Sequence, residues 1–185
     1  MLNQIAAIHG TGTPAVTNSY ESIATVLVGS GGSTQIDFTS IPSTFKHLQV
    51  RYIVRDTFAA SYDFAAMRLN GATSGYSWHF IQGNGSGVSA SAGVSATYIR
   101  NGIMPYNSEL SNTFGVGVVD ILDYANTSKN KTTRTLNGFD GNGTGAVTFN
   151  SGLYPSTSAV TSITFYSVGT AFAQYSQFAL YGIKG

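Results

Sequence analysis

The two carboxylates closest together in sequence are Asp120 and Asp123, in "VVDILDYAN". Glycoside hydrolysis needs two carboxylates facing one sugar ring. Three apart on a continuous strand, these two fall on opposite faces, so they read as a solvated strand end. The string "DGNGTG" sets Asp140, Asn142, Thr144 and Gly145 at the first, third, fifth and sixth places of a calcium loop, but the twelfth place, where a bidentate glutamate belongs, is Ser151. A Gly/Asn turn is the simpler reading. His9, His47 and His79 are too far apart to form a local metal motif, and cysteine is absent. That excludes thiolate ligands and disulfides. The strings "GSGG" and "GNGSG" lack the Lys-Ser/Thr ending of a phosphate loop. The sequons at Asn84, Asn126, Asn130 and Asn142 are what chance gives in a chain with 22 Ser and 21 Thr. Neither a catalytic set nor a cofactor is expected.

One stretch could bind rather than react. In "SGYSWHFIQGNG", Tyr76, Trp78 and Phe80 share one strand face, with Ser77, His79 and Ile81 on the other. An exposed aromatic beside hydrogen-bonding groups suits a sugar. Tyr76, Trp78, His79 and Asn84, with Asp140 and Asn142 from the second Gly/Asn turn, therefore form the candidate receptor-contact set. The competing reading makes the aromatics an ordinary core stripe.

The elements that would carry these residues are strands. From Tyr20 onward, short runs of period two alternate with Gly, Asn, Ser and Pro. In "FKHLQVRYIVRD", Leu48, Val50, Tyr52 and Val54 alternate with Gln49, Arg51, Ile53 and Arg55. Near the end, Phe178 and Leu180 alternate with Gln177, Ala179 and Tyr181, which predicts a docked final strand rather than a frayed tail. Ten or eleven strands follow, with no helical segment of ten or more residues and at most a turn of helix in "SELSNTF" and "DYANTSKN". That number in one sheet would curl or split, so the expected fold is all-β: an antiparallel, jelly-roll-like β-sandwich over 20–185. Composition alone does not separate it from a closed barrel. Residues 1–19 read as an extended N-terminal arm, with Ile5, Ile8 and His9 as its anchoring residues. The small-residue segment at 83–98 reads either as a long loop or as an irregular edge that orders against a partner.

Charged residues make up 9% of the 185 positions and the net charge is +1, against about 25% charged in an ordinary domain. Such a surface has no electrostatic footprint for nucleic acid or an anionic membrane. It suits burial against neighbouring proteins. The opening "MLNQIAAIHGTGTPAV" has neither a basic leader nor a long apolar core, so no secretion signal and no membrane span are expected.

The stretches "SYESIATVLVGSGG", "FTSIPSTFKHLQVRYIVRD", "NTFGVGVVDILDYANTSKNKTTRTLNGFDGNG" and "QYSQFALYGIKG" together resemble a group of small proteins, and C-terminal modules of longer ones, from tailed bacteriophages of marine and freshwater (cyanophage-like) hosts. Most of that group are uncharacterised virion or tail-fibre-like proteins. The resemblance spans Tyr20 to Gly185 and implies a virion context, with assembly in the host cytoplasm and other virion proteins as partners. It brings no catalytic residues. The expectations that follow are a non-enzymatic capsid decoration or cement protein, homo-oligomeric with a trimer as one such assembly, or a tail-fibre module contacting host carbohydrate.

Overall fold

A computed structural model describes residues 19–59 and 63–185. The arm residues Ile5, Ile8 and His9 lie outside the described residues. Among the described residues there are twelve strands: β1 Tyr20–Leu27, β2 Gln35–Phe38, β3 His47–Val54, β4 Asp63–Leu69, β5 Tyr76–Gly83, β6 Val88–Ala96, β7 Ile99–Met104, β8 Gly115–Ile121, β9 Lys131–Asp140, β10 Gly145–Tyr154, β11 Ile163–Ser167 and β12 Gln177–Ile183. All pair antiparallel, in an eight-stranded sheet ordered β1-β12-β3-β8-β9-β10-β5-β6 and a four-stranded sheet ordered β2-β11-β4-β7.

Setting aside the hairpin strands β5, β6, β9 and β10 leaves β1-β12-β3-β8 over β2-β11-β4-β7. Counted along the chain, these eight strands are ordered first-eighth-third-sixth and second-seventh-fourth-fifth, the two-Greek-key jelly roll. The two additional hairpins add four strands to one side of the large sheet. The segment expected as loop or edge is therefore an edge strand, β6.

The terminal strand docks because its alternation matches the sandwich interior. β12 lies between β1 and β3, with Phe178 and Leu180 fully buried. The Phe178 ring packs 4.9 Å from Phe172, 5.2 Å from Phe165 and 5.6 Å from Tyr52. Burying one such ring contributes roughly 2–3 kcal/mol. Leu48, Val50 and Val54 from β3, Met67 and Leu69 from β4, and Val119 from β8 complete this core.

In β9 and β10 the alternation inverts. Thr133, Thr135 and Asn137 of β9 and Thr148 and Asn150 of β10 are the buried side chains, while Leu136, Val147 and Phe149 between them are exposed. The inward groups bond to one another, to the Asn101 side chain of β7 and to the β8 backbone, while Thr133 Oγ1 and Asn150 Oδ1 are left without a partner among the described residues. Thr135 donates to Asn101 Oδ1 (2.9 Å), Asn137 donates to the Val116 carbonyl (3.0 Å), and Asn150 donates to Thr148 Oγ1 (2.9 Å). Tyr52 closes the network by donating to the Asn101 carbonyl at 2.5 Å, and burial raises its pKa. Gly102, at φ +106°, lets β7 pass this close, since a Cβ there would lie 2.5 Å from the Asn137 side chain.

Candidate functional site

The inverted strands leave an apolar band on the outer face of the large sheet. Cross-strand pairing aligns Arg51, Val118, Leu136, Phe149, Ile81 and Ala90 in one row. The next row runs Ile53, Val116, Gly138, Val147, Gly83 and Val88. Leu136 is 57% exposed, Val147 61% and Val116 56%. A water-facing sheet side is ordinarily the polar one, and here the polar side is buried instead. Contiguous exposed apolar area of this kind is a candidate contact surface.

The band has a polar border. A third row, Gln49, Asp120, Arg134, Ser151 and His79, lies beside it. Gln49 donates to Asp120 Oδ1 at 2.9 Å, Arg134 to Asp120 Oδ2 at 2.7 Å, and Arg51 to Gln49 Oε1 at 2.8 Å. The face is also concave. An open hollow of about 910 Å³ is lined by Arg51, Val116, Leu136, Val147, Asn84 and Asp140 among others, and a second of about 510 Å³ by His79, Ile81, Ala90 and Phe149.

The residues singled out from sequence divide between three places. Asn84 and Asp140 both line the large hollow, but their carboxamide and carboxylate hold their own turns. Asn84 Oδ1 accepts from the Ser86 and Gly87 amides, and Asp140 Oδ1 from the Asn142 amide at 2.8 Å. Thr144 turns away from Asp140 and donates to Glu109 Oε2 at 2.6 Å. His79 faces the smaller hollow. Tyr76 is fully buried, its hydroxyl donating to the Leu69 carbonyl and accepting from the Leu69 amide, which leaves it no route to a ligand. Trp78 lies on the opposite sheet face from His79, stacked 6.1 Å from Phe80 and close against Gly93, where a Cβ would come within 2.5 Å of the indole. The Arg100 guanidinium fills the angle between β7 and β5, 3.4 Å from the Phe64 ring centre and 3.8 Å from that of Phe80. Burial lowers its pKa to about 10, so it stays charged at neutral pH.

Asp120 and Asp123 are held apart by different cations, and the two carboxyls that do meet, Asp56 and Asp63, are buried. Asp120 is engaged with Arg134, whereas Asp123 lies with Lys129 Nζ at 2.6 Å and Lys46 Nζ at 3.1 Å, whose bonds pull its pKa down to about 2. Among the described residues, no three His, Asp or Glu side chains are placed to hold a metal ion.

Leu136, Val147, Phe149 and Val116 are the surface residues that sequence reasoning did not single out. A signal was present in "TLNG" and "TFNSG", where each apolar residue sits between threonine and asparagine, so that either side of the strand could face inward. The arrangement makes a prediction opposite to that for a core residue. Leu136→Asp and Phe149→Asp are each expected to change the unfolding free energy by no more than about 0.5 kcal/mol, as surface substitutions do. Urea denaturation measures this, and a loss above about 2 kcal/mol, the scale of core truncation, would show that the band is interior. Comparison with protein-family models, curated proteins and solved structures gives no match for this chain.

Proposed function

We propose that the protein is a non-enzymatic structural component of a bacteriophage particle, a decoration or cement subunit that docks on the shell protein through the outer face of its large sheet. The observation that carries the docking mode is the inverted β9–β10 pair, which buries threonine and asparagine while presenting Leu136, Val147 and Phe149 to the exterior. The phage context is supported by the sequence resemblance. The size of the band favours a repeating lattice as the partner. Two rows across six strands cover about 400 Å² of sheet, roughly half of what one partner buries in a stable free complex. A contact of that size is weak singly and becomes firm when several neighbouring copies engage at once. The low charge of the chain is compatible with a surface that spends its life against neighbours.

The test is the copy number of the protein in purified particles, by quantitative mass spectrometry against the major shell protein. Copies comparable to the shell protein are expected. A handful per particle would overturn the decoration reading and favour a tail-fibre module. For that second reading the relevant observation is that Asn84 and Asp140 border one hollow, where a host carbohydrate would be sought.

A further inference from the structure

Four strands end the two sheets, β1 and β6 in the large one and β2 and β7 in the small one. An open edge presents unpaired N–H and C=O groups, and proteins blunt such edges with charge, bulges, brevity or cover. β2 has four residues and carries Asp37. β1 carries Glu21, paired with Lys184 at 2.9 Å, and has a register shift between Ser22 and Ala24. β7 lies against β5, β9 and β10 and holds Arg100 between two aromatic rings. β6 differs from all three. Its nine residues, "VSASAGVSA", include no charge and no proline, and seven of them are exposed. Its one irregularity is a register shift against β5 between Gly93 and Ala96, which takes in Val94 and Ser95 (φ 52°) and leaves Val88–Gly93 as a regular, uncharged run.

We propose that β6 is a dimerisation edge whose occupant is β6 of a second copy, paired antiparallel about a two-fold axis through Ser91. The strand is complementary to itself in that register. Val88, Ala90 and Ala92 are paired with Gly83, Ile81 and His79 and so lie on the outer side, while Ser89, Ser91 and Gly93 are paired with Gln82, Phe80 and Trp78 on the inner side. An axis at Ser91 sets Ala90 opposite Ala92 and Ser89 opposite Gly93 of the second copy within the regular run, and brings Val88 beside Val94 where the shift begins. Val94 at 78% and Val88 at 74% are the most exposed large hydrophobic side chains among the described residues, and in this register they cover each other. The two Ser91 hydroxyls meet at the axis, where cross-strand hydroxyl pairs bond. Moving the axis one residue either way separates the valines, and placing it between residues sets an outer side chain opposite an inner one. With no charge on the strand, nothing repels an identical copy.

The pairing joins two eight-stranded sheets into one of sixteen and brings the two apolar bands end to end on one surface. It rests on the edge alone, whatever the outer face docks on. A trimer would have to be built from other surfaces.

Because the chain has no cysteine, single-cysteine variants of the full chain test the register directly. Directly opposed residues in an antiparallel pair hold their Cβ atoms about 4.5–5.5 Å apart, close enough for a disulfide after a small adjustment. Two copies of residue 89 would instead be about 13 Å apart, four residues along the strand. Under mild oxidation Ser91→Cys is expected to give a covalent dimer in several-fold higher yield than Ser89→Cys. In sedimentation across the micromolar range, the unmodified chain should run as a dimer and Val94→Lys as a folded monomer. A monomeric wild type, equal cross-linking of the two cysteine variants, or a Val94→Lys that stays dimeric would each overturn the proposal.

Discussion

Arg55→Ala is expected to lower the unfolding free energy by about 3 kcal/mol, because this one side chain holds a whole connection in place. Arg55 follows β3 and is only 8% exposed. Its Nη1 donates to the carbonyls of Leu110 and Thr113, each at 2.8 Å, and its Nη2 to those of Glu109 at 2.9 Å and Asn107 at 3.1 Å. The loop between β7 and β8 thus wraps its carbonyl dipoles around a guanidinium. Removing the cation strands several inward-turned carbonyls at once, and each costs about 1–3 kcal/mol if water cannot reach it. The loop lies at the surface and partly rehydrates, which is why the expected total stays near 3 kcal/mol. For a chain of this length that corresponds to a fall in Tm of about 9 °C. Arg55→Lys should recover little of it, since an ammonium cannot span four acceptors arranged as a fork. Thermal unfolding measures the effect, and hydrogen exchange should rise first over residues 107–113. A shift under about 2 °C, less than 1 kcal/mol on the same scale, would show that the loop is held by its other contacts.

Lys131 repeats the device at the start of β9. It is fully buried, and its Nζ donates to the carbonyls of Asn126 at 2.5 Å, Lys129 at 2.7 Å and Thr157 at 3.1 Å. These two cations mark where the sequence was hardest to read. Period-two alternation identified the strands around them and placed Arg55 on the polar side, because alternation says which residues share a face and nothing about a long side chain that doubles back beneath a loop. The same limit explains β9 and β10. Their alternation was legible, but its phase depends on β7 packing against them with Asn101 and Gly102, a contact between strands far apart in sequence. The antiparallel strands and the docked β12 were legible because Leu48, Val50, Phe178 and Leu180 have only one side on which to be buried, whereas the choice between sandwich and barrel rests on strand pairings that alternation does not encode. Tyr76 shows the limit for the site: its hydroxyl is consumed by the Leu69 backbone next door, so an aromatic that could have met a ligand closes a turn instead.

Stability should fall by about 2 kcal/mol between pH 4 and pH 7 through a single carboxyl group, Asp63, whose pKa is raised from 3.8 to about 6. Desolvation is the main cause, and a hydrogen bond shared with the Asp56 carboxyl adds to it, against the opposing bonds from Ser167, Gly169 and Phe64. Both aspartates are buried, and Ser167 Oγ lies 2.6 Å from Asp63 Oδ2 and 2.9 Å from Asp56 Oδ2. The Gly169 amide donates to Asp63 at 2.6 Å, and the Phe58 amide and Thr170 hydroxyl to Asp56 at 3.0 and 3.1 Å. No cation is paired with either aspartate in the ion pairs of the described residues, so one proton between the two carboxyls is what keeps the cluster from carrying two buried negative charges. The folded protein therefore holds more protons than the unfolded chain between pH 3.8 and about 6, and across that window stability declines as pH rises. The contribution is complete below the unfolded pKa and lost above the folded one. Asp123 acts in the opposite sense at lower pH: its pKa of about 2 means that its contribution is lost as the solution is acidified below pH 4. Urea unfolding at a series of pH values should therefore show a maximum near pH 4. Asp63→Asn keeps a donor for Asp56 without the titratable proton, so it should flatten the decline and be more stable than the wild type at pH 7. A decline of unchanged slope in Asp63→Asn would assign the effect to other groups.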